Sequence, residues 1–274
     1  MDASAPPIAL VISDVDGTLV TTDKRLTPAT RAAVRRLAQA GIGFTIASSR
    51  PPMGLAGLVA DLDLRLPLGA FNGSTVVAPD LKILSETLIP AAVARDAVAR
   101  MARDGLDIWV FAHGAWTLRD PRGPYTDLER RTLGAEPTVV ADLDPLLDQA
   151  AKIVGVSADT AHLAACETRL AAALGEGADV HRSQAYYLDV TPAGAGKGGF
   201  VDAMSRRLGI DRARIATLGD AGNDVPMFSK VGLSIAMGNA DPAVKAAARA
   251  VTADNDSEGF SRAIDEFVLH RPPA

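Results

Sequence analysis

The chain has 274 residues, 48% apolar, 22% charged and 4% aromatic, with 28 Lys plus Arg against 33 Asp plus Glu for a net charge of −5. That length buries roughly 70–75% of the unfolded surface, so the fold needs no disulfide or structural zinc, and the single cysteine, Cys166, excludes an intramolecular disulfide and a cysteine metal cluster. The acidic balance argues against a nucleic-acid binder. No run approaches about 18 uninterrupted apolar residues, so no membrane span is expected.

Met1 to Pro7 lacks the basic region of a secretory leader, and the apolar run after it is cut by Asp14 and Asp16, so the chain reads as cytoplasmic. Ile8 to Ser13 is a short apolar run of the kind buried on both faces of a parallel sheet. Thr27-Pro28 is a helix start, Val34, Leu37 and Ala38 recur at helical spacing, and Gly41 ends the helix. Gly43 to Ala47 is a second buried strand. This β-α-β unit predicts a right-handed crossover and a parallel sheet.

The middle of the chain changes character. Two Ala-rich helical stretches, Ala91 to Arg103 and Ala158 to Leu174, alternate with strand-like runs at 107–111, 152–156 and 186–190. This predicts an inserted α+β module with its own sheet, with Arg119 to Tyr125 as a loop and Trp109 and Trp116 in the module's core. The α/β grammar then returns: a helix over Lys197–Leu208 closed by Gly209, a strand over 214–219, a short helix over 224–230, a strand over 233–237, a helix over 242–250 and a last helix after Ser257. Arg35-Arg36 and Arg206-Arg207 read as solvated helix faces, and Cys166 as a small buried apolar group.

Polar clusters follow three of the predicted strands: Asp14-Val-Asp16-Gly17-Thr-Leu, Ser48-Ser-Arg50, and Asp220-Ala-Gly-Asn223-Asp224. Ligands of open parallel sheets bind beyond the carboxyl ends of the strands, so these clusters converge on one edge. Carboxylates crowded there need a cation. A hard ion with oxygen ligands suits them, and Mg²⁺ takes one or two carboxylates plus phosphate oxygens and waters. The four histidines all lie outside these clusters, against zinc. A calcium loop starting at Asp14 fails, because its twelfth position is Arg25 instead of Glu. Lys197, at a helix start after Gly194-Ala-Gly196, offers a positive charge, and Ser48 and Asn223 offer neutral donors. Any one of these motifs alone is an ordinary turn or cap; their joint order along the chain points to a phosphate site with a nucleophile in it.

On these motifs the chain resembles the haloacid dehalogenase superfamily of phosphohydrolases, and within it the Cof-type sugar-phosphatase branch. Asp14 to Leu19 and Gly219 to Met227 match its first and fourth motifs; Asn72-Gly73, Lys197-Gly198 and Thr252 to Gly259 also fit. The second motif departs, with Ser48-Ser49-Arg50 where relatives show Thr-Gly-Arg. The resemblance implies an α/β fold, a Rossmann-like parallel core (residues 1–84 and 190–274) with an inserted α+β cap (85–189). It implies a Mg²⁺-dependent phosphatase acting on a small phosphorylated metabolite, a sugar phosphate, with neither nucleic acid nor membrane as partner, as a monomer or weak homodimer. Asp14 is then the nucleophile that forms an aspartyl-phosphate, and Asp16 the general acid and base. Mg²⁺ is held by Asp14, the Asp16 main-chain carbonyl and Asp220, with Asp224 behind them or bridged through water. Phosphate is bound by Gly17, Ser48, Arg50, Asn72, Lys197 and Asn223. His113, Arg182 and Ser183 are the cap residues considered for substrate contact, with a plain surface role favoured for each. A phosphotransferase or mutase acting on sugar phosphates, and a non-catalytic phosphate sensor, are the alternative functions.

Overall fold

The computed structural model describes residues 6–270; most of the stretch read for a leader lies outside them. Strand β1 (Leu10–Ser13) is completely buried. Helix α1 (Pro28–Gln39) follows, capped by the Thr27 side chain, which accepts the Thr30 N–H at 3.1 Å. Its inward stripe is Ala33, Val34 and Leu37. Ala38, expected on that face, is exposed, because the step of about 100° beyond Leu37 turns it outward. Arg36, expected in solvent, instead donates to both Asp265 oxygens at 2.9 and 2.8 Å and ties α1 to the C-terminal segment. Strand β2 (Gly43–Ile46) pairs parallel with β1.

Helix α2 (Ala56–Leu62) leads to three short strands absent from the expected elements: β3 (Leu68–Ala70), β4 (Thr75–Val77) and β5 (Ile83–Glu86). They form a small antiparallel sheet, bridged to the end of β2 through Ala47 and Gly69.

The inserted module then runs α3 (Ala91–Arg103), β6 (Asp107–Ala112), β7 (Ala115–Leu118), α4 (Thr126–Leu133), β8 (Thr138–Val139), β9 (Ala150–Val156), α5 (Thr160–Leu174), β10 (Ala178–Gln184) and β11 (Tyr187–Pro192). Its six strands are ordered β10-β11-β9-β6-β7-β8 and are antiparallel except for β7 with β8. Period-two alternation along β6 decides what each face does. Ile108, Val110 and Ala112 point toward α3 and α5, where Met101, Leu163 and Cys166 bury with them. Each such large side chain contributes ~1.5–3 kcal/mol of apolar burial. Trp109 and Phe111 point the other way. Trp109 and Trp116, expected inside the module's own core, lie in this second cluster with Tyr187 and with Phe71 of the β3–β4 connection. The Phe71 and Phe111 rings are 5.3 Å apart, so the aromatic face is the one turned toward the parallel sheet's site-bearing end.

The chain closes with α6 (Lys197–Leu208), β12 (Ile215–Gly219), α7 (Val225–Phe228), β13 (Leu233–Ala236), α8 (Pro242–Ala247), β14 (Ala250–Val251) and α9 (Gly259–Ala263). The helix expected to reach Ala250 stops at Ala247, and the next residues become an edge strand. The parallel sheet is ordered β14-β13-β12-β1-β2. The chain steps from β1 to β2 on one side and returns as β12 on the other, so the strand order reverses at β1, where the ends of the two neighbouring connections part to leave a crevice. Among the described residues no helix is long and apolar enough to cross a membrane.

Candidate active site

Asp14 is the first residue past β1, held by its N–H to the Leu218 carbonyl at 2.9 Å and by its own carbonyl, which accepts the Ser13 hydroxyl. Lys197 opens α6, but its side chain is buried and runs to the end of β1. There the ammonium donates to the Asp14 carboxylate and to Asp224 Oδ1, the latter at 2.6 Å. Burial disfavours the Lys197 ammonium, yet Asp14 and Asp224 outweigh it and hold its pKa above the ordinary lysine value. Asp14 is pushed well above the usual carboxylate range, chiefly by burial and then by the charges of Asp224 and Asp220, against the pull of Lys197.

Asp224 is fully buried. Its Oδ2 accepts the N–H groups of Asp220 and Ala221, both at 3.0 Å, while Oδ1 takes Lys197. It therefore holds the loop after β12 and the lysine in one arrangement. Gly219 permits this: a Cβ there would sit 2.4 Å from the Asp224 side chain. Asp220 accepts the Thr18 hydroxyl at 3.0 Å, and burial with Asp224 nearby raises its pKa. Gly17 faces it at φ +85°, and a Cβ there would lie 2.3 Å from Asp220 Oδ2.

Carboxylate oxygens of Asp14, Asp220 and Asp224 lie within 4.8 Å of one another. An all-oxygen donor set carrying more negative charge than one lysine balances fits a hard divalent cation such as Mg²⁺. The raised pKa values of Asp14 and Asp220 are what such a cluster shows when lysine alone balances it.

Asp16 is separate. Its carboxylate accepts Arg50 Nε and Nη2 at 2.8 and 2.7 Å and Lys24 at 2.8 Å. Burial opposes ionisation, but these donors win and bring its pKa down to about 2. Arg50, placed beside the phosphate in the sequence reading, instead turns its guanidinium on Asp16 and favours that carboxylate's anionic form. Ser48 is buried, with its hydroxyl accepting the Arg50 N–H at 3.2 Å. Asn223 donates to Asn72 Oδ1 at 3.1 Å, and Asn72 Nδ2 lies 3.5 Å from His181 of β10, joining the loop after β12 to the inserted module. His113 is exposed in the β6–β7 turn, and Arg182 pairs with Glu167 at 2.8 Å; Ser183 borders the crevice.

Asn239, just past β13, was not foreseen. Its amide donates to the Gly17 carbonyl at 2.9 Å and to Asp220 Oδ2 at 3.3 Å, while its Oδ1 accepts the Asn255 N–H. The available signal was position: it follows a buried strand, like Asp14, Ser48 and Asp220. The crevice bordered by Asp14, Lys197, Asp220 and Asn239 on one side and His181 and Ser183 on the other encloses about 850 Å³.

The family model of the haloacid dehalogenase-like hydrolases matches residues 11–264. The chain belongs to the haloacid dehalogenase-like hydrolase family. Within reach of its sequence is an HMP-PP phosphatase of Cronobacter sakazakii, 33% identical over 232 residues, or 84% of each chain. A putative phosphatase of Haemophilus influenzae is 26% identical over 93% of this chain and 97% of its own. A solved haloacid dehalogenase-like hydrolase from Bacteroides thetaiotaomicron superposes with a TM-score of 0.85 at 26% identity, covering 94% of this chain and 98% of its own. The Asp14–Lys197–Asp224 arrangement lies at the crevice where such sheets bind ligands.

Proposed function

We propose that the protein is a phosphatase that hydrolyses a small phosphorylated metabolite through a phosphoryl group carried on Asp14. The observation that carries this is the buried Lys197 ammonium, shared between Asp14 and Asp224 at the end of β1. An ammonium there pulls Asp14 toward the anionic form that attacks, against the burial that favours its acid form, and its remaining donor capacity suits a phosphate oxygen. The relatives named as phosphatases support the same chemistry.

In the first half-reaction an Asp14 oxygen bonds to phosphorus as the bond to the leaving alcohol's oxygen breaks, and Asp16 supplies that oxygen's proton. In the second, water attacks the phosphoryl-Asp14 and gives a proton to the Asp16 carboxylate, releasing phosphate and restoring Asp14. Asp16 as found, anionic between Arg50 and Lys24, is in the form needed as base; acting as acid requires it to leave that grip and take up a proton. Asn223 and Asn72, linked to each other, would orient phosphate oxygens, and Gly17, free of a Cβ, leaves room for the Asp220 carboxylate beside them. A Mg²⁺ held by Asp14, the Asp16 carbonyl and Asp220, with Asp224 behind, would offset the charge of the transferring phosphoryl group. The module above the crevice would exclude water when the substrate is bound.

The test is phosphate release from a panel of phosphomonoesters with Mg²⁺ and with a chelator, together with acid-quench trapping of a phosphorylated chain. Release that persists in Asp14→Asn, or a label that fails to map to Asp14, overturns the reading. An isomerised phosphoester in place of free phosphate would instead identify a mutase. The sugar expected from the resemblance is only one possible leaving alcohol.

A further inference from the structure

Residues 252–259, one of the matched motifs, take no part in the chemistry above, yet they pack against the loop beside the crevice. They follow the edge strand β14 and turn back sharply. The Thr252 hydroxyl donates to the Gly259 carbonyl at 2.8 Å, and the Ser257 and Gly259 N–H groups both donate to the Asp254 carbonyl at 3.0 Å. Side chains leaving this turn meet residues 20–27, the loop between Asp16 and α1. Asn255 is buried and donates from Nδ2 to the Val20 carbonyl at 3.0 Å. Asp256 accepts the Thr22 N–H on one oxygen and the Thr22 hydroxyl on the other, both at 2.8 Å. Glu258 accepts the Thr27 hydroxyl at 2.7 Å. Among the described residues, every side-chain hydrogen bond between a distant segment and residues 20–27 comes from this turn, except Lys24's own bond to Asp16.

The held loop is stiff. The Thr21 N–H donates to the Arg25 carbonyl at 3.0 Å, the Lys24 N–H to the Thr21 carbonyl at 2.9 Å, and the Arg25 N–H to the Thr21 hydroxyl at 3.1 Å. Lys24 itself sits at φ +64°, a left-handed conformation that a long side chain keeps only where its surroundings impose it. Fixing Thr22 therefore fixes where Lys24 starts, and the Lys24 ammonium reaches Asp16 Oδ1 at 2.8 Å. Left free, the loop would lose conformational entropy each time Lys24 met Asp16; held in advance, it does not.

Asn255 also faces the other way. Its N–H donates to Asn239 Oδ1 at 3.1 Å, and Asn239 in turn holds the Gly17 carbonyl and Asp220. One buried residue thus sets the loop that carries Lys24 and the loops that carry Gly17 and Asp220 against the same reference.

We propose that residues 252–259 form a clamp that fixes the 20–27 loop, and that Asn255 and Asp256 are positioning residues acting through Val20, Thr22 and Lys24 on Asp16. The role of Asp16 rests on the phosphatase reading; the existence of the clamp does not.

Asp256 is exposed, so removing its side chain tests the clamp and leaves the core intact. Trypsin reads the clamp without substrate or metal, because Lys24 and Arg25 are exposed cleavage points inside the held loop. Under native conditions Asp256→Ala should be cut there about tenfold faster than wild type with Tm unchanged, since cleavage follows local opening. Asp256→Asn keeps an acceptor for the Thr22 N–H and brings a donor to its hydroxyl oxygen, so it should be cut at the wild-type rate. In phosphate release from a phosphomonoester with Mg²⁺, Asp256→Ala should lose about tenfold in kcat with KM within about twofold of wild type, and Asp256→Asn should recover it. Added to Lys24→Met, Asp256→Ala should cost no further kcat. Equal cleavage of wild type and Asp256→Ala, a fall in Tm that accounts for the faster cutting, a loss carried by KM alone, or a further tenfold loss in the Lys24→Met background would each overturn the proposal and leave the phosphatase reading standing. If wild type releases phosphate from no phosphomonoester, the phosphatase reading falls, and the trypsin rates still decide the clamp.

Discussion

The Arg50 guanidinium grips the Asp16 carboxylate at both of its oxygens, 2.8 and 2.7 Å away, while Lys24 closes on the same group from the solvent side. The grip spans 34 residues and joins the loops after β1 and β2, so one contact both fixes the Asp16 carboxylate and fastens two strand ends together.

This contact makes stability depend on pH. The Asp16 pKa falls from 3.8 to about 2 in the folded protein. A carboxylate with a depressed folded pKa contributes stability above its unfolded value, and loses it as pH falls through the folded one. With Lys24 half exposed, the contribution at neutral pH is ~1–2 kcal/mol. Asp16→Asn should therefore be less stable than wild type by that amount in urea unfolding at pH 7, with the two curves converging between about pH 4 and pH 2. A gap that persists at pH 2 would show that Asp16 stabilises by packing instead. The same variant should lose about 10²–10⁴-fold in kcat.

Asp14 runs the other way. Its pKa is raised by burial, and Asp220 behaves likewise. A raised folded pKa means that the protonated form is favoured on folding; this stability is present below the ordinary carboxylate pKa and is lost as pH rises through the folded value. At neutral pH in chelator, Asp14→Asn should consequently melt higher than wild type while turnover is abolished. Added Mg²⁺ should raise the wild-type Tm and move the variant much less. Lys197→Met should do the reverse, costing ~3–5 kcal/mol, because it leaves Asp14 and Asp224 buried without a counter-charge. Equal melting of wild type and Asp14→Asn in chelator would contradict this account.

Gly17→Ala places a methyl where the Asp220 carboxylate now lies, at a backbone φ of +85° that alanine rarely adopts. Asp220 must move, and a displacement of about 1 Å at a reacting centre can cost ~100-fold in rate. The expected result is a loss of that order in kcat with a raised Mg²⁺ requirement. Backbone strain adds ~1–3 kcal/mol of destabilisation. Wild-type Mg²⁺ dependence in this variant would show that Gly17 and Asp220 are not coupled.

The residues that sit just past parallel strands were legible in the sequence because a strand end is a local signal: an apolar run stops and a polar group follows. Asp14, Asp220, Asp224 and Lys197 gather as that pattern implied. What no local pattern carries is the choice of partner. Asp16 binds Arg50, and Arg36 binds Asp265, across 34 and 229 residues. Nor did composition reveal which face of β6 looks toward the site; Trp109 read as module core because alternation gives two faces without saying what each one meets. The β3–β5 sheet was missed because its strands are only three or four residues long, too short for a period to register.

Asn239 supplies the last prediction. It touches no carboxylate of the lysine triad, yet its amide holds both the Gly17 carbonyl and Asp220 Oδ2, and its own carbonyl is fixed by the Asn255 N–H. Groups that orient a metal-binding carboxylate typically alter metal affinity or activity by 10–100-fold when removed. Asn239→Ala should raise the Mg²⁺ concentration for half-maximal activity by about 10-fold, while kcat at saturating Mg²⁺ stays within a few-fold of wild type. Asn239→Asp separates charge from position: it keeps the shape but sets a second carboxylate beside Asp220, which should raise the pH at which Mg²⁺ engages. A titration in which both variants match wild type would leave Asp220 oriented by Thr18 alone.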